Sequence, residues 1–527
     1  MAAGSGDGPG WVCTVAPPEA SLSDNRGFVD RVTAPLSREY GDRDIRVSLS
    51  TARGLPGLFA GGPVPLRCTL FHDGAGLRLV EVAESADAAP CLGLAVDLGT
   101  TRIVLRLVDL STGRHLGEQS FENPQCVVGP DIIVRVHHAD TAGALEDLSR
   151  MVVEGINVQA GAMCSEAGVS RERILCAAVA GNTTMGHLFL GLSPHSIIRE
   201  PYLPVANRPG VVSARELGLA FHPEAGVYVF PNIGSYFGGD LIAGILASGL
   251  HKGEEPRILV DVGTNAEVAL GCRDWLIACA GAAGPALEGG VTRMGMVAGP
   301  GAIDRVRIGP ATGEIRAHAI GDAPPVGICG SGVIDLAAEL FLSGMLDLRG
   351  KFVEERCRDR LVEKNGVAAM VVVPAEHSGT GEDLVISQTD IDSLVRSKAA
   401  MYSILRTITN TVGVDFGALA AFYVAGTFGA FIDPASAIAI GMLPDLPPER
   451  YVPLGNTSLE GATLALASAA AIDEAEDVRN RITYMELNVN QEFMARFSAA
   501  RFFPHTEPSR FPSVAKWLEE RAAVAGR

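Results

Sequence analysis

Charged and aromatic side chains are both scarce in this sequence: Asp, Glu, Lys and Arg make up 20% of it, and Phe, Trp and Tyr only 6%. With 47% hydrophobic residues the chain is nonetheless not composed like a disordered segment, which stays unfolded for want of apolar surface to bury. Basic residues are in deficit. Lys and Arg number 43 against 61 Asp and Glu, a formal net charge of −18, which argues against general nucleic-acid binding and against attachment to an anionic membrane surface. No apolar run reaches the roughly 20 residues a membrane span needs, and no basic-then-apolar leader opens the chain. A cytoplasmic protein is the expectation. The ten cysteines show no C-x-x-C pair, and the eleven histidines form no H-x-x-x-H or H-E-x-x-H pattern. Ordinary buried thiols follow, with no dedicated zinc or iron–sulfur site.

Glycine, by contrast, is plentiful at 61 residues, which favours tight turns and close helix contacts. A length of 527 residues is too great for one core, so several packed units are expected. Residues 1–20, rich in Gly, Pro and Ala, read as a flexible leader. Residues 21–90 read as a small α+β domain, with a helical stretch at 28–36 and alternating strand-like runs at 45–49 and 77–82. A first α/β lobe is expected over 91–255 and a second over 256–527. Helices are expected at 142–168, 184–190, 240–250 and 388–412.

Two stretches carry chemistry. Cys91-Leu92-Gly93-Leu94-Ala95-Val96-Asp97 is an apolar strand running into Gly99-Thr100-Thr101, and a second strand returns from Ile103. Glycine lets a backbone approach a phosphate, threonine hydroxyls donate to it, and a carboxylate at the strand end holds Mg2+ through water. The same residues would also serve a plain hairpin turn. The arrangement recurs: Arg257-Ile258-Leu259-Val260-Asp261 enters Gly263-Thr264-Asn265 and returns through Glu267. Two such loops from related lobes suit a triphosphate, with Asp97 and Asp261 as metal supports.

Three further junctions of small residues follow strands. They are Gly181-Asn182-Thr183-Thr184 and Gly330-Ser331-Gly332, which read as lobe-connecting hinges with Asn182, Thr183, Gly330 and Ser331 as nucleotide contacts, and Gly426-Thr427-Phe428-Gly429, suited to close approach by an adenosine. Asp240 opens a helix, where it would act as an N-cap, orient water or join the Mg2+ shell. His187 reads as a packed core residue, and Arg293 as a loop residue or a contact to partner or phosphate.

The order phosphate loop, Gly junction, phosphate loop, Gly junction, adenosine loop resembles the ASKHA superfamily of acetate and sugar kinases, heat-shock chaperones and actin. In that superfamily two ribonuclease-H-like lobes close over Mg-ATP. The resemblance is closer to the reductive activators of corrinoid proteins, over about 17–514. It rests on 94–101, 180–185, 259–267, 327–335 and 424–431, and on Tyr484-Met485-Glu486-Leu487, Phe503-Pro504-His505-Thr506 and Arg510-Phe511-Pro512-Ser513-Val514.

The resemblance implies an ATPase that supports reduction of an inactive Co(II) corrinoid protein to Co(I), within a methyl-transfer system. It also implies that 21–90 is the family's middle domain. The family's usual N-terminal [2Fe–2S] domain, marked by C-x₄-C-x₂-C, has no counterpart here. The expectation is therefore either an activator without an iron–sulfur cluster, served by a separate ferredoxin or another electron donor, or a fragment of a longer protein, or a member with another job. A homodimer is compatible with the sequence. Two alternatives use the same loops: a small-molecule kinase, and a nucleotide-dependent interaction protein without redox work.

Overall fold

The computed structural model describes residues 9–74, 76–262, 265–282, 292, 294–426, 432–487 and 490–525. The chain divides into two units. Unit one comprises 1–249 and 457–482, and unit two comprises 250–456 and 483–527. The expected uninterrupted second lobe is thus corrected, because residues 457–482 return to unit one.

Unit one begins with a four-stranded sheet of β1 (Val12–Val15), β2 (Ile45–Val47), β3 (Leu66–His72) and β4 (Leu77–Glu84), in the order β1-β3-β4-β2. Part of the expected leader is therefore built into this sheet, as β1. Trp11 is fully buried against Phe71, and its indole N–H donates to Ala465 O at 3.1 Å. The strand read at 45–49 is shorter than expected: Ser48 accepts from Thr51 N–H and caps the helix Leu49–Leu58. This small sheet groups with the first lobe, to which Arg173 ties it by gripping the Glu81 carboxylate.

The second sheet of unit one has β5 (Leu92–Leu98), β6 (Arg102–Asp109), β7 (His115–Glu122), β8 (Ile174–Gly181), β9 (Gly210–Ser213) and β10 (Gly226–Val229), ordered β7-β6-β5-β8-β10-β9. Its residue pattern explains the order. β5 is apolar at nearly every position and lies centrally, whereas the polar β7 takes an edge. Leu92, Leu94, Val96 and Leu98 face a core shared with Leu148, Val152, Ile156 and Ala160, which recur at helical spacing on Ala144–Glu166. Strand alternation then puts Asp97 on the opposite face.

Unit two repeats this plan. Its large sheet contains β11 (Arg257–Val262), β12 (Asn265–Gly271) and β13 (Leu276–Ala282). A three-stranded sheet follows with β14 (Ala302–Ile308), β15 (Ile315–Ala319) and β16 (Gly327–Ile328). A second one has β17 (Leu361–Lys364), β18 (Val367–Val373) and β19 (Leu384–Ser387). β20 (Ala421–Ala425), β21 (Tyr451–Gly455) and β22 (Ile482–Glu486) complete the large sheet in the order β21-β20-β11-β12-β13-β22. In both large sheets an antiparallel meander of three strands is followed by two strands parallel to its first. The internal repeat read from the two Asp-x-Gly-Thr loops is thus a repeat of topology. Among the described residues no helix is long and apolar enough to cross a membrane.

Candidate phosphate-binding site

Asp97 and Asp261 occupy equivalent places, each one residue before the end of the central strand of its large sheet. Around Asp97 the tertiary structure gathers side chains from far along the chain. Gly99 must be glycine, since a Cβ there would lie 2.4 Å from Arg102 O. Its own carbonyl accepts from Asn123 Nδ2 at 2.9 Å, and Asn123 N–H donates to Thr101 O at 2.8 Å. Asn182 uses both ends of its amide. Its Oδ1 caps the helix Thr183–Leu190 by accepting from Met185 N–H at 2.9 Å, and its Nδ2 donates to Thr100 Oγ1 at 3.0 Å. Ser458 Oγ donates to Asp97 Oδ1 at 2.8 Å.

Three helices start here. A Cβ on Gly238 would lie 2.4 Å from Asn182 Cα, which brings the first turn of Gly239–Ser248 against that of Thr183–Leu190. The third is Thr457–Ala465, which carries Ser458. Helix N-termini present unpaired N–H groups and partial positive charge, which suits them to an anion.

Two expectations in this unit are corrected. Asp240 is not the N-cap. Gly238 holds that position, and Asp240 lies in the first turn with its Oδ1 accepting from Leu241 N–H at 2.9 Å. Thr183 turns its hydroxyl into the protein. It is 2% exposed and donates to Gly234 O at 3.1 Å, so it braces the turn before the next helix. His187 is a core residue: its Nε2 accepts from the Val205 and Ala206 amides and its Nδ1 donates to Thr183 O at 2.7 Å. Burial pushes its pKa below the ordinary value.

In unit two, Asp261 lies directly opposite Glu267 across β11 and β12, so the two carboxylates share one face of the sheet. Like charges so placed repel unless a cation or proton donor stands between them. Gly426 follows β20 at φ +77°, and a Cβ there would lie 2.7 Å from Asp261 Oδ1. The adenosine-type loop therefore begins against the second phosphate-loop aspartate. Gly263, Thr264, Thr427, Gly429 and Arg293 lie outside the described residues, as does the side chain of Asn265. Gly330 and Ser331 open the buried helix Gly330–Leu342, and Ser331 Oγ meets Cys329 Sγ at 3.2 Å. Packing explains the adjacent Gly332, where a Cβ would lie 2.1 Å from Ile303 O.

Sequence reasoning missed Ser458, Asn123 and Arg135. A signal for the first exists: Gly455-Asn456-Thr457-Ser458 repeats Gly181-Asn182-Thr183-Thr184, and both open helices whose first residues bond the same phosphate loop. Arg135 is fully buried behind that loop, where its partners are all neutral: Gly129 O at 2.9 Å, Gln125 Oε1, Met185 Sδ and Cys126 Sγ. Burial lowers its pKa from the usual guanidinium value. All ten cysteines are free and eight are buried, Cys272 and Cys279 among them. Among the described residues no group of His, Cys, Asp and Glu could hold a metal unaided.

Comparison with known proteins agrees with this architecture. Residues 92–253 match the RACo middle region, and residues 255–515 match the C-terminal domain of RACo, its ASKHA domain. The middle region thus falls on the first large sheet and not, as expected, on 21–90. The corrinoid activation enzyme RamQ of Eubacterium limosum is 30% identical over 438 residues, 81% of this chain and 73% of that protein. The [Co(II) methylated amine-specific corrinoid protein] reductase of Methanosarcina barkeri is 26% identical over 423 residues, 74% of this chain and 73% of that one. A solved structure of a reductive activator for corrinoid, iron-sulfur protein superposes with a TM-score of 0.84 at 37% identity, covering 97% of this chain and 82% of its own. This chain belongs to the RACo family of ASKHA-domain proteins, the reductive activators of corrinoid proteins.

Proposed function

We propose that this protein uses ATP hydrolysis to support reduction of a corrinoid protein from Co(II) to Co(I). The observation that carries the reading is the duplicated strand end: Asp97 and Asp261 terminate equivalent central strands in a chain whose relatives are named as corrinoid activators and reductases. Gly99, Thr100 and Thr101 supply phosphate donors in unit one, held in place by Asn123 and Asn182. Gly263, Thr264 and Asn265 take the same part in unit two, with Glu267 beside Asp261. Gly426, Thr427 and Gly429 make room for the adenosine. Asp240, at a helix start, orients the attacking water.

A carboxylate at a strand end is a donor for a hard cation, and Asp97 in unit one and Asp261 in unit two would each support Mg2+ that neutralises phosphate charge. Hydrolysis acts on the partner by biasing conformation, since a nucleotide shifts an equilibrium by its differential affinity for two states. The electron comes from a low-potential donor such as a ferredoxin.

The test is spectroscopic. The protein is mixed with a Co(II) corrinoid protein, ferredoxin and reductant, and Co(I) absorbance is followed with and without Mg-ATP; absence of ATP dependence refutes the function. Asp97→Ala and Asp261→Ala abolish hydrolysis with the fold retained. Hydrolysis surviving in both refutes the site.

A further inference from the structure

Ser458 stands 361 residues from the carboxylate it touches, and the place where it sits is unusual in the chain. Asn456 is the last residue of unit two before the chain returns, and Thr457 is the first of unit one. The donor to Asp97 is therefore the second residue past a crossing point. Ser458 is 5% exposed, so its hydroxyl has little access to water as an alternative partner. The helix that carries it cannot drift freely either. A Cβ on Gly461 would lie 2.2 Å from Ala243 O, which means that Thr457–Ala465 and Gly239–Ser248 meet at backbone contact. Arg106, in turn, holds the same helix through Glu460 at 2.7 Å and Thr463 Oγ1 at 3.2 Å.

The same loop is bonded by the other Gly-Asn-Thr helix start, through Asn182 and Thr100. The two starts divide the work. Asn182 addresses a hydroxyl, a neutral phosphate donor, whereas Ser458 addresses the carboxylate that would support a metal. A hydroxyl donating to Oδ1 fixes the rotation of the carboxylate, and with it the direction in which its lone pairs are offered.

We propose that Ser458 is the positioning residue for Asp97: its hydroxyl sets the direction in which the carboxylate meets Mg2+-nucleotide, and it transmits that occupancy to the crossing segment at 455–458. The proposal rests on the reading of Asp97 as metal support. Ser458 itself touches neither nucleotide nor metal. When the cation draws on Asp97, the hydroxyl either keeps its bond and tightens the helix start or loses it and releases the helix start. In both cases the exchange of the first-turn amides at 457–460 responds to Mg2+-nucleotide.

The experiment compares wild type, Ser458→Ala and Ser458→Thr. Binding of a fluorescent ATP analogue is measured with and without Mg2+, then hydrolysis against Mg2+ concentration, then hydrogen–deuterium exchange of 457–465. Ser458→Ala is expected to bind the analogue normally without Mg2+. Its half-saturating Mg2+ concentration should rise about tenfold, the usual scale for one hydrogen bond to a charged group, and its amides at 457–460 should no longer respond to Mg2+-nucleotide. Ser458→Thr keeps the hydroxyl and should restore both.

An alanine variant with the wild-type Mg2+ dependence and wild-type exchange response overturns the proposal. So does a loss in affinity that is equal with and without Mg2+, which would mark Ser458 as merely structural. If wild type neither binds nor hydrolyses ATP, it is the proposed function that fails, and the wild-type arm alone shows it.

Discussion

Adding one methyl group at Gly461 should damage the protein, although alanine is the better helix former. The site lies within the helix Thr457–Ala465, and an added Cβ would meet Ala243 O at 2.2 Å, its C at 2.5 Å and its Cα at 2.6 Å. All three are backbone atoms, so no side chain can swing aside. To reach the ordinary contact of 3.4 Å the two helices must part by more than 1 Å. Overpacking of this kind costs about 1–3 kcal/mol, and the alanine propensity gain of about 1 kcal/mol offsets only part of it. A net loss of up to about 2 kcal/mol is expected.

The control is Gly161→Ala in the helix Ala144–Glu166, where an added Cβ meets nothing within 4 Å; a gain of about 0.5–1 kcal/mol is expected there. Urea unfolding followed by circular dichroism compares the two. Because the displaced helix carries Ser458, ATP turnover of Gly461→Ala should fall as well. A Gly461→Ala protein as stable as Gly161→Ala would refute the reasoning, for it would mean that the helix contact is not the close one described.

Arg135→Met removes a buried positive charge from behind the phosphate loop and should weaken ATP binding, because a cation attracts phosphate charge through protein of low dielectric; titration calorimetry on protein whose circular dichroism is unchanged checks it, and unchanged affinity would show that the buried charge does not act on the phosphate loop. His505 makes stability depend on pH. Burial, with Lys398 and Arg510 nearby, pushes its pKa from 6.5 down to about 4. Unfolded chains therefore take up this proton first, so the contribution is full above pH 6.5 and is lost as pH falls toward 4. Wild type should lose about 2 kcal/mol more than His505→Gln between pH 7 and pH 5 in urea titrations. Equal losses in the two proteins would refute it.

Much of this protein is written locally. The two Asp-x-Gly-Thr strand ends, the hairpins they open and the long amphipathic helix Ala144–Glu166 follow from neighbouring residues, because an apolar run, a glycine and a helical period need no distant partner to be recognised. The strand order that the two large sheets share over five strands was foreshadowed by the same repetition.

What the sequence did not disclose depends on which faces meet. Trp11 looked like part of a loose leader until its indole found Ala465, 454 residues away. Asp240 has the residue type of an N-cap, yet close packing of Gly238 on Asn182 moved the helix start back. Ser458 sits in a second Gly-Asn-Thr helix start, but only the fold shows that its hydroxyl reaches Asp97, 361 residues away. Local chemistry thus determined the phosphate loops themselves. Only the burial of distant helices against one sheet face decided which side chains hold those loops, since such contacts are selected by the total apolar surface removed from water and not by any short motif.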